Sequence, residues 1–375
     1  MIPFFFSYNY NRHVLTLFLF LLVLAPPPSS PARTLPDHVT VITADTLNAT
    51  WHDFSRFLDA QKGSHVSGMS DLKKYLQRFG YLTAAHNCSD DTFDPQLQSA
   101  IILYQKNLGL PVTGNLDSDT IHTIMSPRCG VADDTNPSAA VSLHQTRHFA
   151  YFYGKPRWQR TSPVTLSYGF SPNAMLKSLS STEVRTVFRR AFSRWSAVIP
   201  VNFTEIEDYY SADIKIGFYR GDHGDGEPFD GVLGVLAHAF SPENGRFHLD
   251  AAESWSVDFQ REKSKSAIDL ESVATHEIGH LLGLGHSKVK EAVMYPSLSP
   301  RSKKIDLKMD DVEGVQALYG SNPNFKLSSF LQSDDNNSYN QSFSSKITLS
   351  KLSLLFLLSF SYLQQYLFFF SSFSH

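Results

Sequence analysis

The segment HEIGHLLGLGHS, residues 276–287, decides the chemistry and the fold of this chain. His276 and His280 lie four residues apart, so within a helix both imidazoles project from one face and can bind one metal ion. Gly283 is free to adopt a positive φ, which lets the chain leave the helix sharply and bring His286 to the same ion. Three neutral nitrogens leave a fourth position for water, as catalytic zinc sites do.

Glu277 stands beside the first of these histidines, where a general base is needed. Zinc held by three histidines lowers the pKa of its water towards about 7 and polarises a carbonyl group. Glu277 is then placed to take the proton from that water and pass it to a leaving amine. The alternative is an ordinary helix with surface histidines, which the added glycine and third histidine disfavour. The sequence therefore predicts a zinc-dependent endopeptidase.

A methionine follows the zinc motif in AVMYPS, residues 292–297. A tight turn there would place the thioether of Met294 beneath the metal. Taken alone, Met294 would be an ordinary core residue. The order of an extended zinc motif and a later methionine is the pattern of the metzincin peptidases.

A second group of metal-binding residue types precedes this motif, in HGDG, AHAF and FHLD. Four of these side chains suffice for a closed structural zinc site without water: His223, Asp225, His238 and His248. Hard oxygen ligands, which calcium prefers, lie close by in the sequence: Asp230, Asp250 and Glu253. The alternative for both sets is acidic loops that are merely solvated.

The segment PRCGVAD, residues 127–133, contains a candidate inhibitory ligand. As a thiolate, Cys129 is a soft ligand that can occupy the open position on the zinc and exclude water. This interpretation predicts an inactive precursor. The rival is a buried or disulfide-bonded cysteine, with Cys88 as the other half of a disulfide.

The chain has 375 residues, enough for one catalytic domain and a smaller partner. Apolar residues at helical spacing predict a three-helix unit over about 51–126, within a propeptide of residues 31–149. Strand and helix patterns mix over 150–320, which predicts an α+β catalytic domain. The formal net charge of -3, without a basic block, gives no reason to expect a nucleic-acid partner.

Both ends of the chain have the composition of processing signals. Residues 1–30 contain a short apolar run, over 14–25, that predicts a secretory signal peptide rather than a membrane anchor. Residues 321–346 form a polar linker with a possible attachment site for a glycolipid (GPI) anchor. Residues 347–375 are a hydrophobic tail that would then be removed. The alternatives for the tail are a transmembrane segment or no role. Glycosylation candidates are Asn48, Asn87 and Asn202.

Taken together, these motifs closely resemble the matrix metalloproteinases, in particular the short plant type that lacks a haemopexin-like domain. The resemblance covers about Asp71 to Gly320, and PFDG and LAHAF are two further motifs on which it rests. It implies a metzincin-like catalytic domain with a twisted five-stranded sheet and three helices, preceded by a small three-helix prodomain. It further implies a cleft in which an extended protein substrate pairs with an edge strand. From the terminal signals we expect a secreted monomer, anchored to the outer face of the plasma membrane or located in the extracellular matrix or cell wall.

The resemblance also assigns roles to individual residues. It implies a hydrophobic pocket beside the zinc, walled by residues 295–299 with Tyr295, Pro296 and Leu298, although many relatives have tyrosine where Leu298 stands. The carbonyl of Ala237 would help to hold the emerging amine. The carbonyls of three further residues would complete the calcium site: Gly231, Leu233 and Val235. Arg128 and Asp133 would pair beside Cys129, and an exposed pair contributes under about 1 kcal/mol.

A different class of function has to be weighed against catalysis. The helical segment is similar to peptidoglycan-binding modules, so the protein could be chiefly a binding or adhesion protein. The presence of Glu277 argues against this, because a pure binder needs no general base.

Overall fold

The computed structural model describes residues 51–331 except Ala84, Asn87, residues 134–147, Ser162 and Ser329. The predicted signal peptide, Asn48 and the hydrophobic tail lie outside the described residues, and their roles stay predictions. Within the described part of the chain, no helix is both long enough and apolar enough to cross a membrane.

The N-terminal described part is helical, as predicted. It consists of a 3₁₀ turn and three α-helices: His52–Phe57, α1 (Met69–Arg78), α2 (Pro95–Asn107) and α3 (Ser118–Ile124). Aspartates fix the starts of two of them, because the Asp94 carboxylate accepts the Leu97 N–H at 2.8 Å and Asp117 accepts the Thr120 N–H at 2.9 Å. The helices enclose an apolar core that also includes Phe229, Val235 and Tyr295 from later in the chain.

A six-stranded sheet forms the centre of the second part. Its strands are β1 (Arg128–Cys129), β2 (Val164–Phe170), β3 (Val201–Glu205), β4 (Ile214–Tyr219), β5 (Val235–Ala239) and β6 (Arg246–Asp250). They lie in the order β1-β5-β6-β4-β2-β3, and only β5 and β6 are antiparallel. Five strands from the second part match the expected sheet. The sixth, β1, belongs to the PRCGVAD segment and was not predicted.

Three helices accompany this sheet: α4 (Ser181–Ser196), α5 (Leu270–Leu281) and α6 (Met309–Tyr319). A capping box of Ser180 and Glu183 begins α4, and its buried face packs on α5. The indole N–H of Trp195 donates to the Thr275 carbonyl at 2.9 Å, which ties the two helices together. A short pair, β7 (Trp255–Ser256) and β8 (Ile268–Asp269), leads into α5. The expected α+β class, with three catalytic helices and a helical prodomain, is confirmed.

Every residue of α5 is buried, including the polar ones. Its N-terminal turn is capped by the Asp269 carboxylate, which accepts the Ser272 N–H at 2.9 Å. Further along, Glu271 is 2% exposed and pairs with Arg190 and Arg194 of α4 at 2.6 and 3.0 Å. These interactions hold the helix that carries the HExxH pattern in one position inside the fold.

Candidate active site

The three histidines of the zinc motif converge on one point. His276 and His280 lie on α5, and their Nε2 atoms are 3.1 Å apart. The Nε2 atom of His286 lies 3.2 Å from that of His280. Gly283 makes this possible with a φ of 103°, as predicted, and a Cβ there would lie 2.2 Å from the Pro156 carbonyl oxygen. Only glycine fits this turn without strain.

Outer hydrogen bonds orient each ring. The Nδ1 atoms of His276 and His280 donate to the carbonyls of Val293 and Leu284 at 2.7 and 2.8 Å. A carbonyl only accepts, so each Nδ1 carries the proton and each Nε2 presents a lone pair. Burial lowers the pKa of both imidazoles well below the usual value, which favours neutral rings. Neutral imidazole is the form that binds metal.

This donor set fits zinc. Cys129, His276, His280 and His286 offer one ligand atom each, and these atoms all lie within 4.8 Å of one another. Tetrahedral zinc with bonds of about 2.0 Å to nitrogen places its nitrogen ligands about 3.3 Å apart. Three lone pairs directed at one point repel one another unless a cation lies between them. The geometry therefore suits a zinc ion with three nitrogens and one sulfur.

Cys129 is held beside the histidines by its own loop. Its Sγ lies 3.4 Å from His280 Nε2 and accepts the Val131 N–H at 3.4 Å. Burial, followed by the nearby Glu277 charge, raises the pKa of the thiol. A cation is therefore needed to favour the thiolate. Cys88 and Cys129 are both free in the structure, which contradicts the rival disulfide.

The loop around Cys129 contains a buried ion pair, which corrects the expectation of an exposed one. Arg128 is 0% exposed, and its Nη2 lies 2.9 Å from Asp133 Oδ1, whose side chain is 4% exposed. The guanidinium carbon lies 3.7 Å from the centroid of the Phe79 ring. Burial opposes the charge on Asp133, but Arg128 and further hydrogen bonds hold its pKa well below the usual range. The pair locks the loop to the helical prodomain.

Glu277 is fully buried next to the converging histidines. Burial raises the pKa of its carboxyl to about 8, and the Cys129 thiol offsets part of that rise. A cation bound by the histidines would stabilise the charged form. Such a cation would lower the raised pKa of this carboxyl.

Met294 packs against Gly279, in the helix turn between the first two histidines. It is 1% exposed, and a Cβ added at Gly279 would lie 2.2 Å from its sulfur. The Met294 carbonyl accepts the Ser287 N–H at 2.9 Å, which ties this turn to the residue after His286. Glycine at position 279 is required for this close approach.

The predicted substrate-binding segment is occupied by the propeptide. β1 runs parallel to β5 and lies between β5 and residues 296–298. Backbone hydrogen bonds join it to both sides: Arg128 N–H to Gly234 O at 3.1 Å, Cys129 N–H to Pro296 O at 2.9 Å, Gly130 N–H to Ala237 O at 2.8 Å, and Leu298 N–H to Pro127 O at 3.0 Å. The propeptide therefore uses backbone groups that the predicted extended substrate would need.

A small cavity lies beside His276 and Glu277. Its apolar lining includes Leu236, Val273, Val293, Tyr295 and Leu298. The sequence analysis missed Lys304, which also lines it. Its ammonium donates to the Lys290 carbonyl at 2.9 Å and lies 4.9 Å from the Tyr295 ring centroid. Burial lowers the pKa of this lysine to about 8. No motif surrounds Lys304, so only the fold reveals it.

The second predicted cluster also comes together. Asp225 Oδ2 lies 2.9 Å from His223 Nε2 and 2.7 Å from both His238 Nε2 and His248 Nδ1. The four ligand atoms lie within 4.8 Å of one another, and the side chains are at most 8% exposed. Burial lowers the pKa of His238 to about 4, so its ring is neutral. Three imidazoles and a carboxylate around one point suit a closed zinc site.

The three predicted calcium carboxylates are near one another and bind backbone N–H groups. These hydrogen bonds are Gly231 N–H to Asp250 at 3.2 Å, Leu233 N–H to Glu253 at 2.6 Å, and Val235 N–H to Asp230 at 2.8 Å. Burial and then the Asp230 charge raise the pKa of Asp250 to about 6. One buried oxygen of Glu253 has no hydrogen-bond partner among the described residues. Mutually repelling carboxylates, of which Asp250 and Glu253 are buried, suit a cation, while the ligand role of the carbonyls stays a prediction.

Among the glycosylation candidates, only Asn202 lies within the described residues. It is exposed on β3. Modification there remains a prediction.

This fold and this site define a zinc metallopeptidase with a bound prodomain. Comparison with known proteins agrees with this class. The sequence profile of the matrixin family matches residues 157–320, and that of a peptidoglycan binding domain matches residues 66–124. The chain is 61% identical to metalloendoproteinase 1-MMP of Arabidopsis thaliana, over 77% of this chain and 79% of that protein. It is 39% identical to human neutrophil collagenase over 58% of this chain and 43% of that protein.

The chain therefore belongs to the matrixin family. It is a zinc-dependent metalloendopeptidase with a prodomain, and the resemblance to the matrix metalloproteinases is confirmed. Metalloendoproteinase 4-MMP of Arabidopsis thaliana is 60% identical over 70% of this chain and 76% of that protein.

Lys304 gives a prediction about the pocket. Replacing it with leucine in the mature enzyme removes the half-buried ammonium, so peptides that insert a glutamate side chain should lose kcat/KM relative to those that insert leucine. We expect a change of about tenfold in that ratio, since about 1.4 kcal/mol is a modest value for one such charge interaction. A peptide library varied at the residue after the cleaved bond measures it. Lys303→Leu, at an exposed neighbour, is the control. An unchanged ratio would show that the ammonium does not contact substrate.

Proposed function

We propose that the mature enzyme cleaves peptide bonds in extended segments of extracellular proteins, with zinc bound by His276, His280 and His286 and with Glu277 as general base. The observation that supports this is the convergence of three neutral Nε2 atoms beside a buried carboxylate. An edge strand and an apolar cavity adjoin them. Neither a wall-binding module nor an adhesion protein needs that arrangement.

Each group then has a task in hydrolysis. A zinc ion, when bound, supplies Lewis-acid chemistry that activates water and polarises the scissile carbonyl. Glu277 accepts a proton from the attacking water and donates it to the leaving amine. The Ala237 carbonyl, free once the propeptide has left, accepts a hydrogen bond from that amine. The backbone of β5 aligns the substrate, and the cavity lined by Tyr295 receives one side chain.

We further propose that two structural ions brace this cleft. The cluster of His223, Asp225, His238 and His248 would bind zinc. The carboxylates of Asp230, Asp250 and Glu253, completed by the carbonyls of Gly231, Leu233 and Val235, would bind calcium. Both sets lie in or next to β5 and β6, so the ions would stabilise the strand that binds substrate.

The proposed base can be tested in the propeptide-free enzyme. Glu277→Ala should retain zinc and fold but lose at least a hundredfold in kcat, because proton transfer by a positioned group contributes about 10²- to 10⁴-fold. Hydrolysis of a quenched peptide measures kcat, and metal analysis measures zinc. Glu291→Ala, at an exposed glutamate, is the matched control. Activity of Glu277→Ala within tenfold of the parent would exclude the role.

Latency should depend on Cys129. We predict that Cys129→Ser gives a precursor that activates spontaneously, and that mercurial reagents activate the parent by capturing the thiol. Cys88→Ser should do neither, because Cys88 lies in the prodomain away from the histidine cluster. Titration of the unfolded, metal-stripped precursor should find two thiols. A stable, inactive Cys129→Ser precursor would refute the switch.

Calcium binding predicts a stability effect. A ligand at a hundred times its dissociation constant contributes about 2.7 kcal/mol, and each kcal/mol shifts the midpoint of a domain of this size by about 2–4 °C. A calcium-selective chelator should therefore lower the melting temperature by roughly 5–10 °C. Glu253→Gln should lose most of this response, whereas Glu291→Gln should keep it. Identical melting curves with and without calcium would contradict the site.

From the sequence alone, we propose that residues 1–30 direct secretion and that residues 347–375 are exchanged for a glycolipid anchor. A phospholipase specific for such anchors should then release the protein from the cell surface, and truncation before Ser345 should yield a secreted soluble form. Recovery of a detergent-extracted species that still contains residues 368–370 would favour a transmembrane tail instead.

A further inference from the structure

The outer hydrogen bonds of the three catalytic histidines come from two different parts of the chain. The Nδ1 atoms of His276 and His280 donate to backbone carbonyls of the catalytic part. The outer hydrogen bond of His286 ends on the propeptide, because its Nδ1 lies 2.7 Å from Asp133 Oδ1. Both side chains are 4% exposed. Among the described residues, the structure shows no other hydrogen-bond partner for this nitrogen.

Asp133 is held rigidly for this contact. Its two oxygens lie 2.9 and 3.0 Å from Arg128 Nη2, and the Tyr81 hydroxyl donates to Oδ2 at 2.6 Å. The backbone N–H of Asp133 donates to the Phe79 carbonyl at 3.2 Å. The carboxylate is therefore dry, fixed and anionic at the point where it meets His286.

A carboxylate in this position strengthens a histidine ligand. It accepts the Nδ1 proton, fixes the ring orientation and makes Nε2 more basic than a water molecule at the same place would. Loss of such an outer partner typically costs about 10- to 100-fold in metal affinity. Propeptide removal takes Asp133 away together with Cys129, so His286 loses its partner in the step that opens the site.

We propose that Asp133 is a positioning residue for His286, through which the precursor retains its zinc more tightly than the mature enzyme does, independently of the Cys129 sulfur. The proposal rests on the proposed zinc-binding role of the three histidines. It gives the propeptide a second task besides blocking the cleft: to secure the metal before release. The mature enzyme then depends on the zinc concentration around it.

The competing explanation is that Asp133 acts only through Arg128, by shaping the loop that presents Cys129. The two explanations differ once the sulfur ligand is gone. If Asp133 acts through His286, its substitution speeds zinc loss whether or not Cys129 is present. If it acts through the loop, the effect disappears in a Cys129→Ser background.

The experiment uses the full precursor with Glu277→Ala, which prevents self-cleavage. Zinc transfer to an excess of chromogenic chelator is timed for this parent, for added Asp133→Asn, for added Cys129→Ser, and for both together. We expect Asp133→Asn to speed release about 10- to 100-fold in both backgrounds. Tyr81→Phe is the matched control, since it removes the other neutral partner of Asp133 and leaves His286 untouched. The rate at which Tyr81→Phe releases zinc should be within about threefold of the parent's rate. The packed ring that remains after loss of one hydroxyl keeps the loop in place.

Acceleration by Asp133→Asn only when Cys129 is present, or equal acceleration by Tyr81→Phe, overturns the inference. If Asp133→Asn fails to fold, the double variant Arg128→Gln/Asp133→Asn takes its place in the same assay, because it leaves no unpaired buried charge. A parent that binds no zinc through the three histidines overturns the proposed function as well. A parent that binds zinc normally, with unchanged release after Asp133→Asn, overturns only the role of Asp133.

Discussion

The rest of the structure depends on holding three imidazole nitrogens about 3 Å apart in a dry interior. Such an arrangement is unfavourable without a cation, so the fold has to resist its collapse. The fully buried helix α5 does this, because its start is capped and Glu271 pairs with two arginines of α4. The turn at Gly283 supplies the one backbone conformation that brings the third ring into place.

The same strand, β5, serves both states of the protein. An unpaired edge strand is a ready acceptor for an extended peptide. In the precursor, β1 pairs with this side of β5. Residues 296–298 form backbone hydrogen bonds with the other side of β1. A Cβ at Gly130 would lie 2.7 Å from a Val235 methyl, so the residue after Cys129 has to be glycine for β1 to approach. Under the proposed function, β1 therefore blocks the surface that would bind substrate, in addition to presenting Cys129 to the metal.

Sequence reasoning succeeded where function depends on short spacings. The four-residue interval of the zinc motif, the glycine turn and the helical periodicity of the prodomain are local properties, and they predicted the fold class. It failed where contacts join distant segments. The unpredicted strand β1 pairs Arg128 with Val235 of β5. Lys304 lines the cavity from a loop that contains no motif. Asp133 contacts His286, 153 positions later in the chain. Such contacts depend on tertiary packing, which spacing does not encode.

The burial of the Arg128–Asp133 pair changes the account of latency. An exposed pair contributes under about 1 kcal/mol, and the zinc–sulfur bond would then have to supply nearly all of the restraint. Removing one partner of a buried pair typically costs about 3–5 kcal/mol, because the remaining charge has no solvent. Arg128 also packs on Phe79 of the helical core. The prodomain fold and the loop geometry therefore contribute to latency beside the proposed sulfur ligand.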